Sequence, residues 1–198
     1  NCFSTPYLQR PLDYGAHFVS HSGTQWMDGQ GRVLGGIIAG KAELIDEVIA
    51  FCRHAGPAMS PFNAWILSKS LETLAVRMDR HCENALKVAE FLESHPNIKR
   101  VRYPFLKSHP QYEVAKKQMK QGGNIVTFEV KGGIEAGRKF LNNIQMCSLS
   151  ANLGDSRTIV THPASTTHGK LSVEDRLEVG ITDGLVRCSV GLENVKDI

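Results

Sequence analysis

No two of the five cysteines, Cys2, Cys52, Cys82, Cys147 and Cys188, lie close together, and Cys-x-x-Cys does not occur. A zinc ribbon and a thioredoxin-type redox pair are thereby excluded. Reduced thiols in a cytoplasmic protein are the expectation. Long apolar runs are lacking as well. The longest candidates, such as residues 33–39, have the length of a strand, so neither a membrane span nor a membrane partner is expected. Residues 1–6 show no basic region followed by an apolar core, and no signal peptide is read there. Charge of one sign is scarce: 23 basic residues face 20 acidic ones, a net of +3. That surplus is too mild for a nucleic-acid partner. The densest basic stretch, Lys99-Arg100-Val101-Arg102, is interleaved with Ile98, Val101 and Tyr103 and reads as a half-buried strand. Metal-ligand spacing is missing too. His162 and His168 fit neither His-Glu-x-x-His nor a zinc-finger pair, and His81 and Cys82 diverge on a helix, so no metal is expected.

The composition that is present, 41% hydrophobic, 22% charged and 7% aromatic, is that of a soluble globular protein and excludes wholesale disorder. Its 198 residues suffice for one large domain or two small ones. There is no repeat, low-complexity tract or long linker. Short apolar runs predict strands over 17–20, 33–39, 98–103, 124–130, 146–149, 158–161 and 185–190. Helical spacing predicts helices over 41–53, 111–119, 134–144 and 171–177. One long helix is expected to open at Ser60-Pro61, a good N-cap followed by a proline suited to the first turn, and to run until His95-Pro96-Asn97. Ser172 and Asp175 have capping-box spacing. Strands separated by helices predict an α/β or α+β layered fold. A soft boundary falls near 94–97. Both ends look cut: residues 1–3 read as a strand exit, and 191–194 as the start of a helix.

Several polar turns are candidates for chemistry. Ser22-Gly23-Thr24-Gln25 places two hydroxyls around a glycine at a strand exit, which can hold a phosphate or be an ordinary turn. Gly29-Gln30-Gly31-Arg32-Val33-Leu34-Gly35 nearly spells a dinucleotide fingerprint, but its third glycine is one place late and it leads into a strand, so that reading is rejected. Arg187 stands alone in Leu185-Val186-Arg187-Cys188-Ser189-Val190. Its charge needs a partner, either an internal carboxylate such as Asp155 or an anionic ligand. Tyr7, Tyr14 and Trp26 read as packing residues.

Taken together, several segments resemble the pyridoxal-phosphate (PLP) enzymes of cysteine and methionine metabolism. They are residues 1–6, His21 to Arg32, Gly56-Pro57 with Ser60-Pro61-Phe62-Asn63-Ala64-Trp65, and Leu71-Glu72-Thr73-Leu74. Then come Asn152-Leu153-Gly154-Asp155, Thr161-His162-Pro163-Ala164-Ser165-Thr166-Thr167-His168, and Asp183 to Gly191. They occur in family order across the whole chain. The Asp-Gly-Gln-Gly-Arg run, the Asn-Leu-Gly-Asp turn and the Ser-Pro-Phe-Asn-Ala-Trp helix start look most like the O-succinylhomoserine sulfhydrylase branch.

The resemblance implies an α/β fold of the PLP-dependent aminotransferase type, fold type I. Residues 1–95 would form the later part of the cofactor domain and 96–198 the C-terminal α/β domain. It implies PLP as cofactor and γ-replacement of a homoserine ester by sulfide, giving homocysteine for methionine biosynthesis. A γ-lyase or cystathionine γ-synthase is the related alternative. Ser22 and Thr24 would hold the cofactor phosphate, Arg187 the substrate α-carboxylate, and Asn152 a second contact to it. The family places its Schiff-base lysine right after the loop threonine, where this chain has Gln25. A carboxamide forms no imine and serves as no base, so a non-catalytic, degenerate subunit is a further reading. Family members are about twice as long, so a missing N-terminal half of the same enzyme and a homo-oligomer, a dimer of dimers, are the expected partners.

Overall fold

The computed structural model describes residues 1–198. Its elements in chain order are α1 (Thr5–Leu8), β1 (Phe18–Ser22), β2 (Gly36–Gly40), α2 (Ala42–Ala55), α3 (Pro61–Leu71), α4 (Leu74–Ser94) and β3 (Ile98–Arg102). They continue with α5 (Tyr112–Gln118), β4 (Ile125–Val130), α6 (Gly133–Asn143), β5 (Ser148–Leu149), β6 (Ile159–Thr161), α7 (Val173–Glu178) and β7 (Leu185–Ser189). No helix is long and apolar enough to cross a membrane. The strands β1 and β2 form an antiparallel pair, with Ser22 opposite Gly36. The other five make a mixed sheet in the order β3-β4-β7-β6-β5, antiparallel except for β5 beside β6.

Side-chain alternation gives this sheet two faces. Val126, Phe128, Val130, Val186, Cys188 and Val190 enter a core closed by Ala85 and Ala89 of α4 and by Tyr103 and Leu106. On the opposite face the register sets Thr127 beside Arg187, and Thr161 on its other side. The last strand is therefore two-faced, with the lone Arg187 on the side away from the core. A second cluster, Leu8, Trp26, Leu74, Met78, Cys82 and Leu153, packs the N-terminal end of α4 beneath the loop after β1.

Four expectations need correction. The long helix is two, α3 and α4, where the ladder tightens to Thr73 N on Ser70 O (3.3 Å) and that carbonyl also accepts from Thr73 Oγ1 (3.1 Å) and Arg77 Nη2 (2.9 Å). Residues 1–3 are a turn rather than a strand exit. Asn1 Nδ2 donates to the carbonyls of Thr5 and Gln9 (3.1 and 2.9 Å) and winds the chain into α1. Residues 191–193 start no helix, since they bend at Leu192 and Glu193 while Asn84 Nδ2 donates to Gly191 O and Glu193 O (3.0 and 2.9 Å), and the first turn opens only at Asn194, whose O accepts from Asp197 N at 2.9 Å. Tyr14 is exposed, and its hydroxyl donates to Lys117 O rather than packing. The caps came out as read: Ser60 Oγ accepts from Asn63 N, and Ser172 Oγ from Asp175 N, each at 3.1 Å.

Candidate active site

The pairing of β1 with β2 delivers Ser22 to the mouth of a π-helical turn, Gly23–Met27. Gly23 N donates to Gly35 O at 2.7 Å, and a Cβ at Gly23 would crowd the Gly35 backbone at 3.1 Å. Thr24 Oγ1 accepts from Gly35 N at 3.2 Å; the bond it donates to Gly35 O is long, 3.4 Å. Gln25 breaks the helical geometry of the turn (φ −96°, ψ −121°), and its Oε1 is buried without a hydrogen-bond partner. Ser22 and Gln25 share a cleft of about 450 Å³ with Asn1, Cys2, Phe3 and Ser4.

A buried polar frame fixes this turn from behind. Arg77 Nη1 donates to Trp26 O (2.6 Å), and its Nη2 to Met27 O (3.1 Å) and Ser70 O (2.9 Å). Asp28 is buried and accepts from Arg32 through Nε, Nη2 and the backbone N, at 3.0, 2.8 and 2.7 Å. The Gly29-Gln30-Gly31-Arg32 run thus wraps around a carboxylate. Gly29 sits at φ +75°, and a Cβ there would overlap the Arg77 guanidinium. Trp26, fully buried as a packing residue should be, donates Nε1 to Asn124 Oδ1 at 2.7 Å.

Arg187 is half-buried, with Nη2 donating to Ala151 O (2.7 Å) and Asn152 O (3.1 Å). Its Nε has no partner. Burial alone draws the guanidinium below its ordinary pKa, with no carboxylate opposing it. Asp155, the possible internal partner, belongs to Arg157, which donates to it through Nε (3.1 Å) and Nη2 (3.2 Å). Burial pushes the Asp155 carboxyl up, but the hydrogen bonds and charge of Arg157 outweigh it and hold the group low. Of the two readings of Arg187, the internal ion pair is not realised.

The turn after Asn152 joins the two halves of the site. Gly154 (φ +79°) lies so close over the turn that a Cβ on it would stand 2.8 Å from Trp26 N and 3.1 Å from Gln25 C. Its own N–H donates to Ser189 Oγ at 2.9 Å. Ser22 and Gln25 therefore share one cleft, Arg187 holds the Asn152 turn, and Gly154 presses that turn onto Gln25–Trp26. Thr24 sits beside them with its hydroxyl committed to Gly35. Asp28, Arg77, Asn124 and Gly154 were not singled out as individual positions from sequence. A lone arginine beside the Leu74–Met78 stripe was the available signal for Arg77. His162 and His81 stand apart. His162 is bonded to Ser165 Oγ and Asp183 O (2.8 and 2.7 Å), and buried His81 faces Val190 O.

The family model described as "Cys/Met metabolism PLP-dependent enzyme" matches residues 1–198. The chain belongs to this family. It is 52% identical over 198 residues to the O-succinylhomoserine sulfhydrylase of Pseudomonas aeruginosa, covering 100% of this chain and 49% of that protein. It is 50% identical over 200 residues to an L-methionine gamma-lyase of Fusobacterium nucleatum subsp. polymorphum, covering 100% of this chain and 51% of that one. Among solved structures, cystathionine gamma synthase from Xanthomonas oryzae pv. oryzae, in complex with aminoacrylate and cysteine, superposes with a TM-score of 0.95. The identity is 38%, over 100% of this chain and 51% of that one. The fold is thus the α/β fold type I of PLP-dependent enzymes, as the resemblance implied. The chain spans about half the length of the curated relatives it matches.

PLP, the family's cofactor, is tested by the residues present. Its phosphate end fits at Ser22, which lines the cleft, whereas the Thr24 hydroxyl is bonded to the Gly35 backbone and does not line it. Its aldehyde end does not fit. The cleft-lining residues include no lysine, and the carboxamide at position 25 has no nucleophilic nitrogen. Lys41 follows Gly40, which pairs with Phe18 at the far end of the β1–β2 ladder. That is four residues, or about 13 Å, from the Ser22–Gly36 end.

Proposed function

We propose that this chain carries the binding frame of a sulfhydrylase that makes homocysteine from O-succinylhomoserine, or O-acetylhomoserine, and sulfide in methionine biosynthesis. The observation that carries the reading is Arg187. A half-buried guanidinium with an unpartnered Nε, no carboxylate neighbour and a turn linking it to position 25 is suited to an amino-acid carboxylate. Ser22 and Thr24 hold the phosphate. Asn152 supplies the second contact to the carboxylate. Residues outside this span complete the site, in a homo-oligomer, and 95/96 separates the cofactor part from the C-terminal domain. Similarity to the P. aeruginosa sulfhydrylase supports the γ-replacement reaction. The nearly equal identity to a methionine gamma-lyase supports γ-elimination as the second reading. The degenerate-subunit reading rests on Gln25 and on a span of about half the relatives' length, and is not favoured, because the hydrogen-bonded frame around Gln25 is kept.

Turnover on this reading needs an amine at position 25. In the protein completed by the residues outside this span, Gln25→Lys is expected to release homocysteine from O-succinylhomoserine and sulfide, and the form with Gln25 is not. Release of methanethiol from methionine without homocysteine formation would favour the lyase. In the Gln25→Lys background, Arg187→Lys should raise KM for the amino acid about 10- to 100-fold, the value of a charge-assisted hydrogen-bonded fork. An unchanged KM would remove Arg187 from the carboxylate site.

A further inference from the structure

We infer that Ser165, His162 and the carbonyl of Asp183 form a second chemical site, a serine nucleophile with its base, which takes an acyl group from activated carboxylic esters. The site shares no residue with the Ser22–Gln25 cleft and needs no cofactor. Strand β6 ends at Thr161 and His162 follows directly. A one-turn 3₁₀ helix, Pro163–Ser165, then brings the serine back to the imidazole. His162 is fully buried, and Ser165 is exposed.

The hydrogen bonds fix the roles. Asp183 O is a carbonyl and only accepts, so the His162 Nε2 that faces it at 2.7 Å carries the ring proton. In the neutral ring Nδ1 is then a bare acceptor, and it faces Ser165 Oγ at 2.8 Å. The hydroxyl proton points there, because the other acceptor within reach, His162 O, is 3.5 Å away. A nucleophile, its base and a group that orients the base are thus joined by hydrogen bonds, the arrangement that activates a hydroxyl. The imidazole is held in place from two sides. Gly137 of α6 packs so close that a Cβ on it would stand 2.5 Å from Nε2. Buried Arg176 of α7 ties the serine turn to the orienting segment, donating Nη1 to Ala164 O and Nη2 to Asp183 Oδ1, each at 2.8 Å. In the reaction Ser165 Oγ bonds to the ester carbonyl carbon. The bond from that carbon to the leaving-group oxygen breaks, and the electron pair departs with the oxygen. The hydroxyl proton passes to His162 Nδ1 and from there to the leaving group or to water. An ester on Ser165 remains.

The test uses the purified 198-residue protein with p-nitrophenyl acetate, quenched at intervals and mapped by peptide mass. Ser165 should be acetylated about 100-fold faster than Ser150, an exposed serine with no imidazole partner, as the low end of general-base assistance implies. Ser165→Ala should remove the fast adduct, and His162→Gln should bring Ser165 down to the rate of Ser150. Because residue 162 is interior, a second measurement on the unchanged protein stands beside that variant. Heteronuclear NMR of the imidazole nitrogens in mildly alkaline buffer should find the proton of His162 on Nε2 and Nδ1 bare. Equal rates at Ser165 and Ser150, undiminished acetylation in a folded His162→Gln, or a proton on Nδ1 would each overturn the inference.

Discussion

Arg77 is the residue on which the candidate site depends most. It satisfies three backbone carbonyls, two of them in the turn that carries Gln25, from a buried position on α4. Arg77→Met would leave the Trp26 and Met27 carbonyls unpaired and should cost about 2–4 kcal/mol, measurable by urea unfolding. His81 supplies a pH signature. Burial drives its imidazole down to about 4 from an ordinary 6.5, against an opposing bond to Val190 O. The folded protein keeps it neutral where the unfolded chain binds a proton. Stability is then at its full value above about pH 6.5 and falls as the pH drops toward 4, a trend that His81→Asn should weaken in urea titrations at several pH values. At this scale the sequence was partly legible. Arg187 stood out because a charge interrupts an apolar run, and Ser22 and Thr24 because hydroxyls flank a glycine. Asp28 stayed hidden because an Asp and an Arg four residues apart read equally well as a solvated pair, and Gly154 because it packs on the backbone of Gln25 and Trp26, distant in the sequence.

Among the elements, periodicity carried far. Strands and helices fell within a few residues of their expected positions because each shows one apolar face, as the alternation of Val186, Cys188 and Val190 does. The break between α3 and α4 escaped notice, since Leu67, Leu71, Leu74 and Met78 continue one stripe while the ladder tightens at Ser70 O, which also accepts from polar side chains. The strand order β3-β4-β7-β6-β5 was equally out of reach, being set by pairings between distant segments. One side chain ties the turn after β1 to the last strand. Asn124 accepts from the Trp26 indole and donates to Val190 O, each at 2.7 Å. Asn124→Leu should unpair the Trp26 indole N–H in the interior and leave Val190 O with His81 as its side-chain partner. We expect a loss of about 2–3 kcal/mol and greater exposure of Trp26, seen as a red shift in its emission. An unshifted spectrum at unchanged stability would mean that the turn and the sheet are not coupled through this residue.

Over the whole molecule, apolar surface is conspicuous. None of the residues of α2 is buried, and Phe51, Phe62, Trp65, Val76 and Phe91 are all more than half exposed. Patches of this kind mark contact surfaces, which accords with a chain spanning about half the length of its relatives. The purified 198-residue chain should self-associate in sedimentation velocity, and a monodisperse monomer across a tenfold range of concentration would contradict that expectation. The central claim is that the frame of a PLP site is intact around a residue that cannot hold the cofactor covalently. Borohydride reduction with PLP, followed by peptide mass mapping of the unchanged and Gln25→Lys proteins, tests it most directly. The account predicts a pyridoxyl adduct on residue 25 in Gln25→Lys and none in the unchanged protein. An adduct of equal yield in the unchanged protein, or none on residue 25 in a folded Gln25→Lys, would contradict it.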